Sequence, residues 1–154
     1  MNNNIEIYEK WMRYAIIEGV KALNDGEVPI GAVIVSQNKI IGRGYNQVES
    51  LNDATAHAEM IAITSASNTN ENWRLSDSFL FVTKEPCPMC AGAILNSRVK
   101  AIIYGLPDKE NGACGSYYDI CRDKKINKFP IIQGSVLEDD CRYLIDQFFS
   151  KVRK

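Results

Sequence analysis

The chain has 154 residues, which fits one globular domain with a sizeable core, so residues 1–154 are expected to form a single domain. Hydrophobic residues make up 45% of the chain and charged residues 24%, and no apolar run approaches the roughly 20 residues of a membrane helix, which excludes a protein with a membrane-spanning helix. The net charge of −1 and the pI of about 5.9 give no overall basic footprint for nucleic acid, although a local basic patch is compatible with them. The first residues lack the basic and apolar regions of a secretory signal, so we expect a cytoplasmic protein.

The hydrophobic periodicity predicts helices that alternate with strands after an initial hairpin. In chain order, the predicted elements are a helix at 5–23, strands at 28–35 and 40–45, a helix at 56–66, a strand at 79–83, a helix at 89–96, a strand at 99–104, a weak helix near 117–121, a short strand at 131–132 and a final helix. Gln37-Asn38 is expected to form the hairpin turn, and Asp53 or Thr55 to cap the helix at 56–66. Residues 46–53, 68–78 and 105–115 are expected to form loops. Strands that alternate with helices favour an α/β fold in which helices cover both faces of a mixed sheet.

Two short segments carry the residues of a metal site, Thr55-Ala56-His57-Ala58-Glu59 and Glu85-Pro86-Cys87-Pro88-Met89-Cys90. A Cys-x-x-Cys pair at the start of a helix directs two sulfurs to one point, and the positive end of the helix dipole stabilises thiolates there. Zinc prefers thiolate and imidazole ligands in a tetrahedral arrangement. His57, Cys87 and Cys90 are therefore predicted to hold one Zn²⁺ per subunit.

Glu59 is the candidate catalytic residue. On a regular helix its side chain would point about 200° away from that of His57, yet in the first turn it can reach the fourth coordination position, which a catalytic zinc keeps for water. A carboxylate at that point can accept a proton from water and return protons to a substrate nitrogen and to departing ammonia. His-x-Glu followed by Pro-Cys-x-x-Cys is the known signature of zinc deaminases, and both halves occur here in that order.

Two other interpretations of the same residues remain open. Cys-x-x-Cys near a βαβ pattern is also typical of a thioredoxin-like redox pair, which would leave the segment around His57 and Glu59 unexplained. A structural zinc site would need a fourth protein ligand, for which Cys114 is the candidate. The chain has five cysteines, and this odd number argues against a disulfide framework in a cytoplasmic protein.

The two segments resemble the cytidine deaminase superfamily. The wider match is similar to the bacterial tRNA-specific adenosine deaminases, which convert the wobble adenosine of a tRNA anticodon to inosine, and it runs from about Trp11 to Phe149. Further segments similar to that family are Glu27-Val28-Pro29-Ile30-Gly31-Ala32-Val33, Gly44-Tyr45-Asn46, Asn72-Trp73-Arg74-Leu75 and Asn111-Gly112-Ala113-Cys114-Gly115-Ser116.

The resemblance implies a three-layer α/β/α cytidine-deaminase-like fold with a five-stranded mixed sheet, and a homodimer whose interface helps to build the sites. It also implies that Asn46 hydrogen-bonds the flipped base and that Asp108 contacts the RNA near it. The chain departs from the family where Lys84 replaces a usually apolar residue, where Ile126-Asn127-Lys128 replaces Leu-Asn-His, and in its shorter basic tail. Basic residues that could bind phosphates are Arg122, Lys124, Lys125, Lys128, Lys151, Arg153 and Lys154, although charge runs are more often solvated surface.

The leading functional prediction is hydrolytic deamination of an adenosine in a tRNA anticodon loop. A small-molecule enzyme that deaminates guanine, cytosine or a nucleoside with the same zinc machinery is the alternative. The third class is a zinc-stabilised RNA-binding module without catalysis. Glu59 argues against this third class, because a structural metal site does not need a carboxylate beside an open coordination position.

Overall fold

The structure is a computed structural model that describes residues 2–122 and 130–152. Its helices are α1 (Asn2–Asn24), α2 (Val48–Leu51), α3 (Ala58–Asn70), α4 (Pro88–Ser97) and α5 (Glu138–Val152), with a short 3-10 turn at Ile120–Arg122. Its strands are β1 (Gly31–Ser36), β2 (Lys39–Tyr45), β3 (Phe79–Lys84), β4 (Ala101–Leu106) and β5 (Ile131–Gln133). None of the helices within the described residues is long and apolar enough to cross a membrane.

The five strands form one mixed sheet in the order β2-β1-β3-β4-β5. The strand β1 runs antiparallel to β2 and β3, whereas β3, β4 and β5 run parallel to one another. The predicted hairpin turn between β1 and β2 is confirmed, since Gln37 and Asn38 both have positive φ values of 50° and 60°. Two positive φ values in a two-residue turn match the twist of the strands on either side.

Helices cover both faces of this sheet. Successive strand residues point to opposite sides, so an apolar strand such as β3 presents apolar side chains to both faces. In β3, Leu80 and Val82 pack into one apolar cluster with Ala62 of α3 and Ile94 of α4. Phe81 points the other way, into a second cluster that contains Trp11 and Met12 of α1 and Cys141 of α5. The predicted three-layer α/β/α fold with a five-stranded mixed sheet is confirmed.

The start of α3 differs from the sequence prediction. The helix begins at Ala58, and its N-cap position is His57 in an extended conformation, with φ of −76° and ψ of 154°. The predicted caps Asp53 and Thr55 bond to each other instead. The Asp53 carboxylate accepts hydrogen bonds from the Thr55 backbone N–H at 2.8 Å and from its hydroxyl at 2.7 Å, closing an Asx turn before the helix.

The predicted loop at 46–53 contains the short helix α2. The carboxylate of Glu27, which is buried, accepts hydrogen bonds from the backbone N–H groups of Glu49 at 3.2 Å and Ser50 at 2.7 Å. N–H groups of the first helical turn have no partner within the helix. Glu27 therefore caps α2, although it lies more than 20 positions away along the chain. A pattern of neighbouring residues contains no sign of such a distant cap.

Candidate metal centre

The candidate metal ligands meet where β3 ends and two helices begin. Cys87 is the N-cap residue of α4 and His57 is the N-cap residue of α3, so both lie in extended backbone just outside their helices. Cys90 lies in the first turn of α4 and is fully buried. The N-terminus of a helix stabilises negative charge, which favours the thiolate form of the two cysteines.

The three side chains have the spacing that a tetrahedral zinc site requires. The Nδ1 atom of His57 lies 3.6 Å from the Cys87 Sγ and 3.5 Å from the Cys90 Sγ. A tetrahedral zinc with bonds of about 2.3 Å to sulfur and about 2.0–2.1 Å to nitrogen separates those ligands by about 3.6 Å. All three donor atoms lie within 4.8 Å of one another. The residues therefore fit zinc in both chemistry and geometry.

The fourth protein ligand of a structural zinc site is not supplied by Cys114. This cysteine lies outside the donor group, which among the described residues consists of His57, Cys87 and Cys90. Its sulfur lies 3.1 Å from the sulfur of Cys121, and both side chains are buried. A set of three protein donors is the pattern of catalytic zinc sites.

Hydrogen bonds among the two thiols and the imidazole shift the pKa values of all three groups. A hydrogen bond from Cys90, helped by a second bond to His57, lowers the pKa of Cys87 to about 4. The same bond to Cys87, together with burial, raises the pKa of Cys90. The hydrogen bond with Cys87 also raises the pKa of His57. A divalent cation replaces such shared protons, because a coordinating thiol is deprotonated outright.

Glu59 lies directly beside this donor group. It is the second residue of α3 and is only 4% exposed. Burial raises the pKa of its carboxyl, and the nearby charge of Cys87 acts in the same direction. The separation of about 200° expected on a regular helix does not apply, because His57 precedes the helix. The extended backbone at His57 instead lets both side chains approach the same point.

A second buried carboxylate, that of Glu85, organises the loop after β4. Its oxygens accept hydrogen bonds from the backbone N–H groups of Asp108 at 3.2 Å, Cys114 at 2.9 Å and Ser116 at 3.2 Å, and from the Ser116 hydroxyl. Gly112 lies against it, where an added Cβ would come within 2.5 Å of the carboxylate. Sequence analysis missed this role, because the donors lie 23 to 31 residues away along the chain.

The two candidate substrate-binding residues lie in segments that adjoin the donor group. Asn46 follows β2 and is 8% exposed. Its amide donates to the Val28 carbonyl at 3.2 Å and accepts from the Val48 N–H at 3.2 Å. The neighbouring Gln47 N–H donates to the Ala56 carbonyl at 3.0 Å, which holds this segment beside His57.

Asp108 lies in the loop that Glu85 organises. Its Oδ1 accepts hydrogen bonds from the backbone N–H groups of Glu110 at 3.0 Å and Asn111 at 3.1 Å, and its Oδ2 lies 3.3 Å from the Lys84 ammonium. Burial acts to raise the pKa of Asp108, but the two N–H groups and Lys84 outweigh it and lower that pKa. Of the basic residues considered for phosphate binding, Arg122 and Lys151 are described and exposed. The others, Lys124, Lys125, Lys128, Arg153 and Lys154, lie outside the described residues, as does Ile126-Asn127-Lys128.

Comparison with known proteins places this geometry in a family context. The family model of the cytidine and deoxycytidylate deaminase zinc-binding region matches residues 5–106. The chain is 41% identical to the tRNA-specific adenosine deaminase of Streptococcus pyogenes serotype M18 (strain MGAS8232), across 100% of this chain and 97% of that protein. It is 46% identical to the chloroplastic tRNA(adenine(34)) deaminase of Arabidopsis thaliana, across 92% of this chain and 12% of that protein.

A solved structure is also similar. It comes from biochemical and structural studies of A-to-I editing by tRNA:A34 deaminases at the wobble position of transfer RNA. The two structures superpose with a TM-score of 0.84 at 35% sequence identity, and the match covers 88% of this chain and 98% of that chain. The similarity therefore extends over the sheet and both helical layers.

Proposed function

Because the chain belongs to the family of tRNA-specific adenosine deaminases, we propose that it hydrolyses the wobble adenosine of a tRNA anticodon loop to inosine and ammonia. The feature that supports this reaction most directly is the convergence of His57, Cys87 and Cys90 beside the buried Glu59. A single-stranded loop suits the chemistry, since its bases can be flipped into a pocket at little cost in unstacking.

The protein binds zinc, one ion per subunit, and we assign its ligands as His57 Nδ1, Cys87 Sγ and Cys90 Sγ. When bound, zinc acts as a Lewis acid that makes a hydroxide nucleophile available at neutral pH. The S···N distances of 3.5 and 3.6 Å support this ligand set. The thioredoxin-like alternative gains no support from the geometry, because the imidazole lies equally close to both sulfurs.

Glu59 is assigned the proton transfers. Its carboxylate accepts a proton from the attacking water and delivers it to the ring nitrogen next to the amino-bearing carbon of adenine. It then takes the remaining proton of the added hydroxyl group and passes it to the exocyclic nitrogen, so that the C–N bond breaks, ammonia leaves and the carbonyl of inosine forms. Burial raises the pKa of the Glu59 carboxyl, which favours the protonated form that donates to the substrate nitrogen.

Asn46 and Asp108 are assigned to the substrate, as the contact to the flipped base and the contact to the neighbouring RNA. Both side chains are held by the protein: Asn46 by Val28 and Val48, and Asp108 by its own loop and Lys84. Asn46 keeps a second amide hydrogen and a second lone pair besides the bonds to Val28 and Val48. Such partly anchored polar groups are held in place before the substrate arrives.

We further propose that residues 1–154 act as one domain in a cytoplasmic homodimer. Partly exposed apolar side chains on α3 and α4, among them Met60, Ile63 and Met89, offer a surface for a second copy. Two-fold dimers are the commonest soluble assemblies. Light scattering should give twice the mass of 17.3 kDa, and a stable monomer at assay concentration would contradict the dimer.

One assay tests the substrate. The zinc-loaded protein is incubated with unmodified tRNA and, separately, with guanine, cytosine and their nucleosides. Inosine formation in tRNA without ammonia release from the small molecules is expected. Efficient turnover of a free base together with unmodified tRNA would show that the protein is a small-molecule deaminase.

A further inference from the structure

Two exposed tyrosines lie next to each other in the segment after β4. Tyr117 is 63% exposed and Tyr118 is 44% exposed. Their ring centroids are 4.7 Å apart at an interplanar angle of 75°, which is an edge-to-face contact. Single apolar side chains are common on protein surfaces, so exposure alone indicates no function. Two large rings in contact, of which one lies mostly in solvent, offer a surface on which another flat ring can pack.

The main chain fixes the position of the two rings. The N–H groups of Tyr117 and Tyr118 both donate to the Gly112 carbonyl, at 3.1 and 2.9 Å. The Tyr118 carbonyl in turn accepts a hydrogen bond from the Gly115 N–H at 2.9 Å. A side chain whose backbone is already held in place loses less conformational freedom when a ligand binds to it, which favours binding.

The same segment adjoins the metal centre. The Ala113 N–H donates to the Pro86 carbonyl at 2.8 Å, directly before the zinc ligands of α4. Ser116 donates through its N–H and its hydroxyl to the Glu85 carboxylate. Tyr117 follows Ser116 in the chain. The rings are therefore joined through short hydrogen-bonded connections to the segment that leads into the zinc ligands.

An arginine lies against the turn that carries the two rings. The Arg122 Nη1 is 3.0 Å from the position that a Cβ on Gly115 would take. The same nitrogen lies 3.5 Å from the Asp119 carboxylate, and both of these side chains are about half exposed. An ion pair this exposed is weak, so the guanidinium remains available to a phosphate. Aromatic rings beside arginine are the combination with which proteins bind single-stranded RNA.

Flipping a base out of an RNA loop leaves the neighbouring bases without their stacking partner. We propose that Tyr117 is a substrate-binding residue on whose ring a nucleobase adjacent to the target adenosine stacks, with Tyr118 supporting that ring and Arg122 beside the flanking phosphate. This inference rests on the proposed function, because it requires a flipped base that has neighbours. A free nucleobase has none, so Tyr117 favours RNA over small molecules.

A cycle that changes both the protein and the RNA tests the stack. Three tRNA substrates are made by ligation, one with an intact anticodon loop and two with an abasic nucleotide directly before or directly after the target adenosine. Tyr117→Leu keeps an apolar side chain but removes the ring, so KM for the intact tRNA should rise about fivefold or more, with a smaller change in kcat. Tyr117→Phe should retain the wild-type KM. On one of the two abasic tRNAs, whose KM with the wild type is already raised, Tyr117→Leu should cause no further increase.

Tyr143→Leu is the matched control, because Tyr143 is a tyrosine of similar exposure, 67%, on α5 in the opposite helical layer. Its KM should equal that of the wild type, and thermal unfolding should show that every variant is folded. An unchanged KM of Tyr117→Leu for intact tRNA would overturn the inference, as would an equal KM increase on all three tRNAs.

Light scattering separates RNA binding from a contact between protein subunits. Tyr117→Leu should have the oligomeric state of the wild type. A change in that state would overturn the inference, because the ring would then belong to a contact between two copies of the chain. If the wild type forms no inosine in intact tRNA, the proposed function fails and the role of Tyr117 falls with it. Normal wild-type activity with an unaffected Tyr117→Leu rejects the role of Tyr117 alone.

Discussion

Two neighbouring regions of this molecule use the same residue types for different purposes. The metal centre contains two cysteines and the buried Glu59, and the loop after β4 contains Cys114 beside the buried Glu85. In the centre, both sulfurs lie within 3.6 Å of an imidazole nitrogen. At the loop, Cys114 contacts another buried cysteine, Cys121, and Glu85 is surrounded by backbone N–H groups.

The difference shows that burial and residue type do not identify a reactive group. Glu59 and Glu85 are 4% and 3% exposed, so their exposure does not separate them. What separates them is their partners. Backbone donors from a distant loop take up the oxygens of Glu85, which makes it a structural acceptor. Glu59 is buried beside the donor group, and we propose that its carboxyl transfers protons there.

The largest expected effect on zinc content and activity comes from replacing one cysteine of the metal centre, compared with replacing one cysteine of the loop. Cys90→Ala should lose zinc and all measurable deaminase activity, because it removes one of three ligands. Cys114→Ala, a matched change at an equally buried sulfur, should keep one zinc per subunit. Elemental analysis of protein prepared without chelator measures both. Full zinc content in Cys90→Ala, or its loss in Cys114→Ala, would reverse the assignment of the two regions.

Replacing Glu59 should have the next largest effect. Glu59→Gln preserves the shape of the side chain but cannot accept the proton, so kcat should fall by about 10²–10⁴-fold or more. Zinc content and the melting temperature should stay close to those of the wild type. Single-turnover assays on tRNA give the rate of the chemical step. Near-normal turnover would mean that another group transfers the protons.

The same comparison shows which features could be predicted from the sequence. The alternation of apolar strands with helices predicted the five strands and the helices on both faces of the sheet. The structure agrees, since Leu80 and Phe81 are both buried, on opposite faces. The donor group was predictable because His57, Cys87 and Cys90 lie in two short segments, His-x-Glu and Pro-Cys-x-x-Cys, whose spacing is typical of a zinc site. The two segments come together because β2 and β3 both run antiparallel to β1, so that the C-terminal ends of β2 and β3 lie at the same edge of the sheet.

Long-range hydrogen bonds could not be predicted in this way. Glu27 caps α2, and Glu85 holds the loop at 108–116, through backbone N–H groups that any residue other than proline offers. Such bonds leave no pattern among neighbouring residues. The predicted start of α3 was wrong for a local reason. The Thr55 hydroxyl hydrogen-bonds to the Asp53 carboxylate, and His57 takes the N-cap position.

Glu85→Gln should lower stability far more than it lowers the rate of the chemical step. The new amide group replaces one acceptor oxygen with donors that would face backbone N–H groups, which should cost about 1–3 kcal/mol in the free energy of unfolding. Below the melting temperature, the zinc content should remain one per subunit and kcat should fall much less than in Glu59→Gln. Urea unfolding measures the stability. A loss of kcat as large as that of Glu59→Gln, without loss of stability, would show that Glu85 takes part in proton transfer.

Ser116→Ala should have the smallest effect on stability. It measures how much one side-chain donor contributes to holding the Glu85 carboxylate. It removes the hydroxyl bond to the Glu85 carboxylate but keeps the Ser116 backbone N–H donor at 3.2 Å and the Cys114 N–H donor at 2.9 Å. The free energy of unfolding should therefore fall by about 0.5–1.5 kcal/mol, the net contribution of one hydrogen bond, with kcat unchanged. Ser50→Ala is the control, because the Ser50 hydroxyl makes an exposed bond of 3.4 Å to the Gln47 carbonyl, and its loss should matter less. If Ser116→Ala is no more destabilising than Ser50→Ala, the backbone donors alone hold Glu85, and the loop depends on its main chain and not on the serine.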